Sequence, residues 1–186
     1  MDVAAAFLAD ARGRFAQYRR LAEGALAQAD DAAFFAALHP PAGGVDGEAN
    51  PLALQVKHLA GNFRSRWTDF LTADLDKPDR HRDREFVVEP GDTREALMAR
   101  WAEGWAACEA TLDALTPADL LRTVTLRREP MTALSALTRG LAHTAYHVGQ
   151  IVLLAKHHAG PAWRTLSIPR GASETFTATL HATHGR

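Results

Sequence analysis

Two histidines, His143 and His147, stand four residues apart in a stretch whose apolar residues recur at helical spacing. At 3.6 residues per turn they stack on one helix face, with their bases about 6 Å apart. Imidazoles on a shared face can converge on one divalent ion, because zinc–nitrogen bonds of about 2.0–2.1 Å reach no ligand on an opposite face. Thr144 follows His143 where a zinc-protease motif carries its glutamate base, so peptide hydrolysis by that route is not expected.

Turning each helix by 100° per residue extends the pattern. His143, His147 and Gln150 fall on a face about 130° from the leucine stripe of their helix, and Ala136 and Gly140 keep space beside them. Earlier in the chain, His58, Asn62 and Asp69 share a face about 140° from the stripe formed by Val56, Phe63 and Trp67. Spacing leaves two readings open. Either the two polar faces meet across a cleft and three imidazoles hold a metal, or they are solvated faces and histidines that hydrogen-bond inside a packed interior.

The elements that must position these residues are helices. Phe7, Ala11, Phe15, Tyr18, Leu21 and Ala25 mark a first helix from Asp2 to about Gln28, and Asp30 to Leu38 adds a short turn. His39-Pro40-Pro41 and the following glycines break the chain. Asn50 as cap and Pro51 at the first position start a second helix, which the stripe carries to about Leu71. Asp76 to Gly91, dense in charge, is expected to be a long surface loop, functional or simply solvated. Asp92 with Glu95 has a capping-box pattern before a third stripe of Leu97, Trp101, Trp105, Cys108, Leu112 and Leu115, which makes Cys108 a packed, inert thiol. Residues 122–127 alternate and suggest a short extended piece. Thr132 caps a fourth helix running to His158 and stopping at Gly160-Pro161, with His157 and His158 at its C-terminal dipole. Residues 167–186 form a tail with a weak helical stretch. The expected fold is all-α, a four-helix bundle forming a single domain over residues 1–186.

Composition narrows the class of function. Lys+Arg total 21 against Asp+Glu 22, so there is no basic surplus for a phosphate backbone and no nucleic-acid partner is expected. The start carries an early acid and no basic segment, and no apolar run reaches the roughly 18 residues that span a bilayer. A cytoplasmic protein without a membrane partner is expected. One cysteine excludes an internal disulfide framework.

Lys57-His58-Leu59-Ala60-Gly61-Asn62, then Arg66-Trp67-Thr68-Asp69-Phe70, together with His143-Thr144-Ala145-Tyr146-His147-Val148-Gly149-Gln150-Ile151, resemble the DinB-like (YfiT-like) superfamily. They resemble most an uncharacterised bacterial branch, which also carries a tail like Ser167-Ile168-Pro169-Arg170-Gly171. The resemblance runs from Asn50 to Phe176. It implies a four-helix bundle, often a homodimer, with a divalent metal, zinc or nickel foremost, on His58, His143 and His147. It further implies a metal-dependent enzyme of hydrolase or thiol S-transferase type acting on a small-molecule substrate or thiol, or, alternatively, a non-catalytic metal- or ligand-binding bundle.

Three neutral imidazoles leave the ion its double charge and an open position for water or a thiolate. Asn62 and Gln150 are placed to orient a ligand ring or bound water, Asp69 is three turns from His58, and Tyr146 is a candidate proton donor. Arg64, Arg66 and Arg139 are candidates for an anionic substrate or for ordinary surface roles. His39, His81, His181 and His184 carry no spacing signal.

Overall fold

Each long helix begins where its local chemistry supplies a cap. Asp2 accepts from the Ala5 N–H and opens α1 (Val3–Leu26), and Asp30 accepts from Ala33 before the short α2 (Asp31–Phe35). The computed structural model describes residues 2–38 and 50–184. The expected break at His39-Pro40-Pro41, and with it His39, lies outside the described residues.

Helix α3 (Leu52–Trp67) differs from expectation at both ends. Its flanking residue is Pro51, in extended conformation and without a side-chain cap bond, so Asn50 is not the cap. It stops at Trp67 rather than Leu71, because Thr68 is extended and Asp69 takes a left-handed φ of 50°. Asp69 therefore leaves the His58 face and lies exposed. Helix α4 (Arg94–Ala114) is capped by Thr93, which accepts from Ala96, and not by Asp92. The Asp92 carboxylate is occupied elsewhere: it takes the Lys57 ammonium at 2.5 Å and the Glu89 N–H at 2.9 Å.

A hairpin of β1 (Thr123–Leu126) and β2 (Glu129–Thr132) follows, antiparallel and in register Val124 to Met131. The alternation at 122–127 anticipated its first strand only. Arg127 and Arg128 turn the hairpin with φ of 54° and 65°, a costly conformation for arginine that suits a two-residue hairpin turn. Asp74 supports it by accepting both of their N–H groups, at 2.9 and 2.8 Å. The hairpin is thereby tied to the segment leaving α3. Helix α5 (Ala133–Ala159) starts at Thr132 as expected and ends at Gly160 with a φ of 51°. Helix α6 (Ser173–His184) buries none of its residues.

The long helices α1, α3, α4 and α5 enclose one core, with α3 along α4 and α1 along α5. Phe15, Phe63, Trp67, Trp101 and Trp105 meet edge to face at its centre, at centroid distances of 4.6–6.5 Å. The third stripe is buried throughout, Cys108 included, and burial raises the thiol pKa well above its ordinary value. The fold is thus mainly helical with one small sheet, in agreement with an all-α class. Among the described residues, no helix is long and apolar enough to cross a membrane.

Candidate metal centre

Helix α3 presents His58 toward α5, which presents His143 and His147 one turn apart. The Nε2 atoms of His58 and His143 face each other at 3.3 Å, and one ring nitrogen from each of the three histidines lies within 4.8 Å of the others. Tetrahedral bonds of about 2.0–2.1 Å set ligand nitrogens about 3.4 Å apart. One edge of such a site is therefore already at length, and the third ring has at most about 1.4 Å to close.

Two of the three rings have their outward nitrogen engaged, which leaves the inward nitrogens of His58 and His147 with their lone pairs. His58 Nδ1 donates to Glu85 Oε2 at 2.8 Å, and His147 Nδ1 donates to Gln55 Oε1 at 2.8 Å. A carboxylate or amide behind a histidine fixes its tautomer and ring orientation, as is usual behind metal ligands. Glu85 is itself held by two 2.8 Å bonds from Arg80, and Gln55 Nε2 donates to Gln150 Oε1 at 2.8 Å. Burial works to raise the Glu85 pKa, but hydrogen bonds from Arg80 and then His58 outweigh it and hold the carboxylate below its usual range. Burial, then the neighbouring histidines and arginines, push His143 down to about 3. Burial, then His58, push His147 down to about 4. Both rings are therefore neutral at physiological pH, the state a metal requires.

The close approach of Glu85 depends on Gly61. A Cβ built there would lie 2.9 Å from Glu85 Cδ, so the absence of a side chain makes the niche for the carboxylate. Gly140 acts similarly on α5, where a Cβ would meet Trp67 Cζ2 at 2.9 Å. The space expected beside Gly140 is thus partly filled by the indole.

A cavity of about 460 Å³ opens against the three rings. Asn62, Arg66, Arg139, Tyr146 and Gln150 line it. Gln150 reaches His147 only through Gln55, and Tyr146 sits at the rim, exposed, with its ring 5.0 Å from that of His147. Arg64 turns away to pair with Asp79 at 2.9 Å on the surface. His157 and His158 close α5, His81 precedes a 3-10 helix, and His181 and His184 lie on the exposed α6.

The stretch 76–91 is more than a solvated loop. It folds a 3-10 helix, Arg82–Phe86, onto α3 and carries Arg80, Glu85 and Phe86 to the site; Phe86 packs against His58 with centroids 4.8 Å apart. Sequence reasoning missed Glu85 because a carboxylate within a run of charges has no periodicity. Gln55 had a signal: it lies three residues before His58, on the same helix face.

A family model described as "Protein of unknown function (DUF1572)" matches residues 2–172. No curated protein and no solved structure matches the chain.

Proposed function

The chain belongs to this DUF1572 family, and we propose from the site itself that it is a metal-dependent enzyme holding one divalent ion on His58, His143 and His147. The observation that carries the reading is the convergence of three ring nitrogens within 4.8 Å, from helices far apart in sequence, beside an open cavity. In this reading the long helices form a four-helix bundle of DinB-like type, folded as one domain. Imidazole suits zinc, nickel, copper and iron alike, and zinc or nickel is proposed on the resemblance to the DinB-like superfamily. Held by His58, His143 and His147, a divalent ion would supply Lewis acidity, lowering the pKa of a water or thiol bound to it.

The chain's own residues do the rest. Glu85 and Gln55 hold two ligand rings in the tautomer that points Nε2 inward. Phe86 and Trp67 add aromatic surface to a wall otherwise lined largely by polar and charged side chains. Asn62 and Tyr146 offer polar groups to a substrate on the open side. The reaction is hydrolysis or thiol transfer on a small molecule, and the chain works as a homodimer.

Elemental analysis of protein purified without a metal-affinity tag tests the reading. About one zinc or nickel per chain is expected, lost in His58→Ala and His143→Ala while the circular dichroism spectrum stays helical. An untagged protein that neither carries metal nor melts higher on adding zinc or nickel would sink it. Stoichiometric metal with no turnover of thiol or ester substrates would instead make the chain a binding protein.

A further inference from the structure

We propose that the cavity beside the three histidines receives a small molecule bearing a carboxylate or phosphate group, gripped by Arg66 and Arg139 while its other end reaches the histidines. The inference rests on the metal reading for the reacting end only. Its own basis is the charge of the cavity wall. Five arginines line it and, among the described residues, no aspartate or glutamate does.

Two of the five are already paired. Arg80 is held by Glu85 and Arg127 by Asp76 at 2.9 Å, while Arg82 is more than half exposed to solvent, over the Phe86 ring at 4.9 Å and with Asp83 only at 3.9 Å. Arg66 has only a long 3.4 Å bond to the Leu75 carbonyl, and Arg139 makes no ion pair among the described residues. Burial, then the charge of Arg80 and with it those of Arg139 and Arg127, lowers Arg66 to about 10 despite Asp76. It stays charged at neutral pH, crowded by like charge, an arrangement that an anion relieves.

Guanidinium groups match planar carboxylates and phosphates in paired hydrogen bonds. Position gives the length of the ligand. Arg139 lies one turn before His143 and Arg66 about two turns after His58, so the anionic end sits roughly 6–12 Å from the histidines along the helix axes.

The test uses full-length protein loaded with cobalt(II), in which a bound thiolate gives a charge-transfer band. Mercaptohexanoate, the phosphonate of equal length and the uncharged mercaptohexanol are titrated in turn. The acid or the phosphonate is expected to bind about tenfold or more tighter than the alcohol, and the tighter of the two names the anion. Arg66→Gln and Arg139→Gln should each erode that preference without weakening the alcohol; Arg139 is exposed, so its variant folds. Equal affinity for acids and alcohol, or a preference untouched by both variants, overturns the proposal. A cobalt spectrum that never develops sinks the metal reading instead. Inorganic phosphate titrated by calorimetry into the metal-free chain then decides the arginine site: binding weakened about tenfold in the double variant supports it, and no binding overturns it.

Discussion

Replacing Gly61 with alanine sets a methyl group against the carboxylate that orients His58. The added Cβ would lie 2.9 Å from Glu85 Cδ and closer still to Oε1, inside any tolerated contact. Glu85 cannot withdraw freely, because it accepts from His58 and twice from Arg80, all at 2.8 Å. Loss of a partner behind a ligand typically costs ten- to a hundredfold in metal affinity, or about 1.4–2.7 kcal/mol. Stability moves under two opposed terms. Alanine in a helix gains about 1 kcal/mol over glycine. Disrupting a buried charge pair costs about 3–5 kcal/mol when one partner is left alone, and the Arg80 and Glu85 side chains are only 4% and 8% exposed. The second term wins, for a net loss of about 2–4 kcal/mol. Zinc competition against a chromophoric chelator, with denaturant unfolding of the metal-free chain, measures both quantities. Wild-type zinc affinity together with a gain in stability would show that Glu85 neither fills the niche nor orients the ring. Glu85→Gln keeps the shape and removes the charge, so its affinity should fall between the two.

Metal-free protein should lose stability on mild acidification. His143 and His147 are depressed to about 3 and about 4, whereas unfolded imidazoles protonate near about 6.5. Below that pH the unfolded chain takes up protons the folded chain refuses, so stability is full above about pH 7 and falls toward pH 4, by on the order of 2–4 kcal/mol at pH 5. Urea midpoints flat from pH 7 to 5 would contradict this. Lys57→Met removes the shortest partner of the Asp92 carboxylate, whose side chain is 2% exposed, and leaves it Arg100 at 3.2 Å and the Glu89 N–H, so it should cost about 1.5–3 kcal/mol; a loss under about 0.5 kcal/mol in urea unfolding would show the pair to be dispensable. Cys108, buried and with its pKa raised, should resist a chromogenic thiol reagent in the native state and react once in denaturant, and rapid native labelling would refute its packing.

What was legible in the sequence is what a helix writes at intervals of three and four residues. The stripes of α1, α4 and α5, the Thr132 cap and the shared face of His143 and His147 follow from local periodicity, since neighbours on a helix surface are near neighbours in the chain. Resemblance named His58 as their partner, but convergence at 3.3 Å depends on how α3 packs against α5 across 85 residues. The cap of α4 shows the limit of local rules. Asp92 is as good a capping residue as Thr93, and the choice fell to Thr93 because Lys57, distant in sequence, claimed the Asp92 carboxylate. Glu85 lies further still from any local signal: its neighbours in the charged run are also acids and bases, and only the niche at Gly61 and the fork of Arg80 single it out. Side-chain period is a property of one element, so sequence alone carries it. Which faces meet, and which of many like charges is drawn inside, depends on the mutual fit of surfaces that exist only once the chain has folded.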